Sequence, residues 1–284
     1  MSRRQKRADK TEKSDSEQNL QGASYNASKK RNTLLNAIAI GLTCGLITNN
    51  APAKGRSDCS VRKSFSLDEN LILKKDAVAA IYRGRARAIT FEFSGFGEIL
   101  DGLNPDQTIT LGVPHYGEEV IVDSVLLLTK DQVEKSRETA ISRTKSHFKM
   151  LEGKPGLVFI DLDGLPDNIK TIDDARDFIL SFCPELEGCA TWGVPSSSSY
   201  IKKDGVSFSQ FKGGHFYFAL KDGKYLKDFV TWVHKRSVIK GHDKGIVDPA
   251  VGSAERLIFE TKPELNDGLE KDDVPPKYYD GGLV

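Results

Sequence analysis

Two aspartates one residue apart, a histidine behind paired glycines, and a third aspartate after an apolar pair are the residues best placed to do chemistry. The first pair ends the run Val158-Phe159-Ile160-Asp161-Leu162-Asp163-Gly164. In a strand alternate side chains share a face, so Asp161 and Asp163 point the same way at its exit. Two carboxylates that close repel each other unless a cation lies between them. Mg²⁺ or Mn²⁺ favours such oxygen ligands and leaves coordination sites for phosphates. His215 follows Lys212-Gly213-Gly214 and opens the run Phe216-Tyr217-Phe218. Paired glycines let a backbone approach a ligand closely and offer N–H groups to anions. His215 could then donate to a phosphate oxygen. Ile246-Val247-Asp248 again puts a carboxylate at the end of an apolar stretch. Three carboxylates and a histidine at strand ends are what a metal-dependent nucleotidyl transferase needs.

Other groups could assist. Four serines at 196–199 follow Trp192-Gly193-Val194-Pro195, and clustered hydroxyls bind phosphate or cap turns. Arg256, in Glu255-Arg256-Leu257-Ile258-Phe259-Glu260, is a cationic fork for phosphate or for a carboxylate. Arg83, Arg85 and Arg87 share one face if their segment is extended. That face suits a template strand, or equally a solvated edge strand guarded by arginines.

These groups must be held by a folded domain, and 284 residues are enough for a buried core. With 38% hydrophobic residues, 29% charged residues and net charge +1 the chain reads as soluble, and no global field points to nucleic acid. Its four cysteines form no CxxC pair, so reduced cytosolic thiols are expected rather than structural zinc or a disulfide framework. Residues 1–30 read as a disordered, mildly basic tail carrying Arg3, Arg4, Lys6 and Arg7. The apolar run at 34–47, between Lys29-Lys30-Arg31 and Ala51-Pro52-Ala53, imitates a secretory signal. It starts too far into the chain for that and is too short to span a bilayer. A buried or amphipathic helix, no membrane partner and a cytoplasmic location are expected, followed by a linker over 55–62.

Strand-like runs lie at 88–93, 108–113, 120–128, 157–161, 189–194, 215–220 and 256–260. Residues 76–82 read as a short helix or strand. Helices are expected over 97–103, 130–151, 172–182 and 226–240, with 130–151 the longest and Thr171 and Asp173 as capping candidates for 172–182. The alternation indicates an α/β or α+β sandwich. The expected divisions are a tail and linker over 1–60, an N-terminal α/β lobe over 61–129, a metal-binding core over 130–265 and a polar tail over 266–284.

In order, these pieces resemble the archaeo-eukaryotic primase superfamily, in the branch of primase-polymerases carried by phages, plasmids and integrated elements. Asp161 and Asp163 match its first motif, Gly213-Gly214-His215 its second, and Val247-Asp248 its third. Gly213 stands where the second motif often has serine. The segments 103–112, 141–148, 196–199 and 254–260 are similar to the family's pattern, and the resemblance covers roughly residues 80–265. It implies an RRM-like antiparallel sheet core beside the N-terminal lobe. It implies nucleotidyl transfer by two Mg²⁺ or Mn²⁺ ions on Asp161, Asp163 and Asp248. His215 would hold the triphosphate of an NTP or dNTP, with Ser198, Lys212 and Arg256 as helpers. A single-stranded DNA template would lie on Arg83, Arg85 and Arg87. No helicase-like segment follows Glu264, so a replicative helicase is expected in trans or from a further C-terminal region.

Two other readings compete. Phe159-Ile160-Asp161-Leu162-Asp163-Gly164 is similar to the first motif of haloacid-dehalogenase-type phosphatases, which would make Asp161 a nucleophile and Asp163 a general acid. Asp243 and Asp248 would imitate its distal metal pair, but Leu165 stands where that family has Thr or Val. The run 212–218 also echoes the RNA-stacking strand of a non-catalytic RRM module.

Overall fold

The structure, a computed structural model, describes residues 40–52, 58–77, 81–242 and 246–284. The basic tail, the start of the apolar run, part of the linker and Asp243 lie outside them. Two sheets dominate. Their strands in chain order are β1 (Gly41–Asn49), β2 (Arg83–Glu92), β3 (Gln107–Thr110), β4 (Val125–Leu128) and β5 (Ala140–Ser142). There follow β6 (Gly156–Asp163), β7 (Thr191–Pro195), β8 (Gly213–Leu220), β9 (Leu257–Ile258) and β10 (Lys277–Tyr279). The helices that position them are α1 (Phe96–Asp101), α2 (Ile172–Phe182) and α3 (Leu226–Ile239).

The four-stranded antiparallel sheet has the order β6-β8-β7-β10. Along the chain it runs β6, α2, β7, β8, α3, and residues 246–248 then return beside β6 through the antiparallel bridge Leu162↔Val247. This is the expected RRM-like core within an α+β fold. One face of the sheet, including Val158, Ile160, Phe216 and Phe218, is apolar and buried. Phe218 meets Phe229 of α3, and Ile172 of α2 reaches Gly193 and Gly214 so closely that an added Cβ would clash. The opposite face carries Phe159, Asp161, Asp163, His215 and Tyr217. Helix α2 is an amphipathic segment entered at Thr171, whose hydroxyl accepts the Asp174 N–H at 3.1 Å while Asp174 accepts the Thr171 N–H at 3.0 Å. Such a capping box contributes about 1 kcal/mol. Thr171 is therefore the cap. Asp173 instead accepts from Tyr279 of β10 at 2.9 Å and pairs with Lys277.

The second sheet has six strands in the order β9-β3-β1-β2-β4-β5. Leu42, Cys44, Ile109 and Leu111 of one face join the same core cluster as Leu157 and Phe159. Ile47, Ala86, Val125, Leu127, Ile141, Phe148 and Leu257 form a second cluster. Because β9 and β5 sit at the two edges of this sheet, the expected boundary at 129/130 does not separate the two layers. Residues 266–284 are not a free tail either, since β10 completes the other sheet.

Two helix expectations are overturned. The described part of the 34–47 run is β1, the central strand between β2 and β3. A strand buried on both faces reads as a continuous apolar stretch, which periodicity cannot tell from a buried helix. Residues 130–151 are not a long helix. They form one turn at Lys130–Val133, then β5 and the short strand Phe148–Lys149. The segment has no apolar stripe for a helix to bury. Its hydroxyls bond locally instead, as Ser142, Thr144 and Ser146 do around His147 Nδ1 at 3.2–3.4 Å. No helix among the described residues is long and apolar enough to cross a membrane.

Candidate active site

Strand register assembles the site. Asp161 pairs with His215 across β6 and β8, and Asp163 pairs with Gly213. On the other side of β6 the Leu162↔Val247 bridge runs antiparallel, so Asp248 falls opposite Asp161. The Asp248 N–H donates to the Asp161 carbonyl at 3.4 Å, and the Asp163 N–H to the Ile246 carbonyl at 3.2 Å. His215, Asp161 and Asp248 thus form one row across three neighbouring extended segments. Gly164, at φ +66°, turns the chain away directly after Asp163. The paired glycines serve packing rather than open a ligand site. A Cβ on Gly213 would lie 2.2 Å from the Leu162 carbonyl, and one on Gly214 2.7 Å from Ile172.

His215 is buried between two acids. Glu260 accepts from Nδ1 at 2.5 Å, and Nε2 stands 3.6 Å from the Asp161 carboxylate. Glu260 also accepts from the Tyr217 hydroxyl. Burial works against the charged imidazole, but Glu260, through charge and hydrogen bond, and Asp161, through charge, hold the His215 pKa above its ordinary value. That favours the doubly protonated ring, in which both nitrogens donate. Burial raises the Asp161 pKa. Asp163 and Glu260 add to the rise, and His215 and Lys63 oppose it.

A cavity of about 300 Å³ opens beside two members of this row, Asp161 and His215, and is lined also by Lys63, Arg143, Phe159 and Arg256 among others. Lys63 opens the strand Lys63–Leu67, which belongs to a separate small sheet. Burial and the neighbouring Lys75 lower its pKa against the pull of Glu260, Asp161 and Asp163. Arg143 follows β5, and its guanidinium donates to the Glu255 carbonyl at 3.3 Å. Arg256 precedes β9 and lies 3.7 Å from the Asp248 carboxylate. Three cations therefore face one acidic row, an arrangement suited to a polyphosphate bound beside metal-bearing carboxylates.

The oxygen-only donor set of Asp161, Asp163 and Asp248 suits Mg²⁺ or Mn²⁺. Among the described residues no three acidic, histidine or cysteine side chains stand together as a metal-holding group. Asp248 accounts for part of this, since its carboxylate accepts the Ala250 N–H at 2.8 Å and faces Arg256. The three acids match such ions in donor chemistry, and their backbones lie on neighbouring extended segments.

The remaining expected residues fall elsewhere. Lys212 lines a different cavity, beyond Gly164, with Lys170. Ser198 Oγ bonds to Ser196 Oγ at 3.0 Å, and Ser199 Oγ accepts the Lys212 N–H at 3.0 Å. The hydroxyls of Ser196, Ser198 and Ser199 thus order their own loop, and neither Ser198 nor Lys212 lines the cavity at Asp161. Arg83, Arg85 and Arg87 are exposed at alternate positions of β2 and share one face. Lys63 carried no signal in the sequence. Arg143 and Glu260 lay inside segments noted for a helix, a strand, the neighbouring Arg256 or similarity to a family pattern, and neither was singled out as a site residue.

Compared with known proteins, the chain matches no family model, no curated protein and no solved structure.

Proposed function

We propose that this chain is a primase-polymerase of the archaeo-eukaryotic primase type, which transfers nucleotides from NTP or dNTP to a 3′-hydroxyl on a single-stranded DNA template. The observation that carries the reading is the row His215–Asp161–Asp248, with Asp163 one step along the same strand face and three cations around the cavity beside it. Asp161, Asp163 and Asp248 would hold two divalent cations. When bound, such ions activate the attacking hydroxyl and neutralise charge on the triphosphate and the leaving pyrophosphate. Lys63, Arg143 and Arg256 bind and orient the polyphosphate, and His215 donates from Nε2 to one of its oxygens. A cytoplasmic setting, a replicative helicase partner and a role in copying a mobile element accompany this reading.

The test is incubation of single-stranded DNA with labelled NTP or dNTP and Mg²⁺ or Mn²⁺, comparing wild type with Asp161→Asn. New oligonucleotides made by wild type alone support the proposal. Phosphate release from a small phosphomonoester would instead make Asp161 a phosphatase nucleophile. RNA retention without synthesis would make the sheet a binding module.

A further inference from the structure

Glu260 belongs to neither the acidic pair nor the cation set. It lies two residues past β9, at the edge of the six-stranded sheet, and its side chain is only 5% exposed. Its carboxylate reaches the functional face of the other sheet and accepts from His215 Nδ1 and from Tyr217. Among the described residues its ion-pair partner is His215. A buried carboxylate is costly unless its lone pairs are filled, and here both donors come from adjacent inward positions of β8.

We infer that Glu260 is a positioning residue, supported by Tyr217, that fixes the His215 ring with Nε2 directed at the polyphosphate cavity. This inference rests on the nucleotidyl-transfer reading. An imidazole turns broadly about its terminal torsion when nothing holds it. With Nδ1 tied to Glu260 the ring neither turns nor flips, and a partner on one nitrogen sets the role of the other. Tyr217 is itself held between rings, with centroids 5.2 Å from Phe159 and 4.9 Å from Phe96. Phe159 also meets the His215 ring edge-on at 5.1 Å. The direction of Nε2 is therefore set by the docking of one sheet on the other, not by β8 alone.

The experiment is a double-mutant cycle on the full chain. It measures dATP KM and kcat with Mn²⁺ and primed single-stranded DNA for wild type, Glu260→Gln, His215→Ala and the double variant. Glu260→Gln keeps the size and an acceptor but removes the charge. Loss of a hydrogen bond to a charged group corresponds to about 10–100-fold, and the loss is expected in the nucleotide KM while template affinity holds. In the His215→Ala background Glu260→Gln should add nothing further. Tyr217→Phe should move the same parameter by a smaller factor. In parallel, the Nδ1 proton of His215, read by NMR as a far-downfield resonance in wild type, should move upfield in Glu260→Gln, where the charge-assisted bond becomes a neutral one, and stay far downfield in Tyr217→Phe. Additive losses in the double variant, or a ring resonance unchanged by Glu260→Gln, overturn the inference while leaving the transfer reading intact. A wild type that makes no product overturns both.

Discussion

The two large sheets divide the work by charge. The four-stranded sheet, with the segment that returns beside it, supplies the acids Asp161, Asp163 and Asp248 and the histidine between them and Glu260. The six-stranded sheet supplies Arg143 and Arg256 from beside its edge strands and Arg83, Arg85 and Arg87 from β2. Each set gathers like charges, which repel one another. The acids meet Arg143 and Arg256 where the sheets pack, beside the cavity at Asp161, while Arg83, Arg85 and Arg87 stay exposed on β2. Opposite charges supplied by different elements line one polar cavity of about 300 Å³.

The largest effect should come from the acidic side. Asp161→Asn should lower primer synthesis by more than about 100-fold, beyond the loss that follows removal of an outer partner. Radiolabelled product on a denaturing gel measures it. An active variant would break the division, because the row would then be structural. On the cationic side, Lys63→Ala, Arg143→Ala or Arg256→Ala should each raise the nucleotide KM by about 10–100-fold, the value of one hydrogen bond to a charged group. Steady-state kinetics that instead showed a fall in kcat with unchanged KM would place that residue in the chemical step.

A smaller change should follow from the arginines of β2. If each of Arg85 and Arg87 neutralises one template phosphate, each alanine variant should reduce the slope of log affinity against log salt by about 0.7. Fluorescence anisotropy with a labelled oligonucleotide at several salt concentrations reads this, and unchanged slopes would confine DNA to another surface.

A last effect, on stability and not on activity, concerns a cation placed away from both sheets. Burial lowers the Lys271 pKa to about 8, and its amine donates to the Ser196 and Ser199 carbonyls. The unfolded chain keeps the lysine protonated to near its ordinary 10.5. Between those values it binds more protons than the folded chain, so folding stability rises with pH. Relative to Lys271→Met, wild type should therefore gain thermal stability from about pH 8 to pH 10.5 and show no such gain below pH 8. Melting curves across that range test it, and a gain confined to lower pH would reverse the assigned cause.

Much of the candidate site follows from local rules. The acid pair shares a face because strand side chains alternate, and residues 157–161 read as a strand because four apolar residues precede Asp161. Thr171 announced α2 through its capping hydroxyl. Residues 34–47 and 130–151 misled for opposite reasons. The first looks helical because a central strand is apolar on both faces, and the second because mixed charges imitate a solvated helix. Lys63 stands 98 positions before Asp161, and nothing in its neighbours marks it as a site residue.

By itself the sequence determined which groups could carry chemistry and the strand or helix that presents several of them, because those choices depend on neighbours within a few residues. Only the tertiary structure decided the company they keep. It set Asp248 beside Asp161, Glu260 against His215, and Lys63 and Arg143 around one cavity, and it left Lys212 and Ser198 outside. The reason is that a register between distant strands is fixed by the burial of whole faces, and no short stretch of chain contains that information.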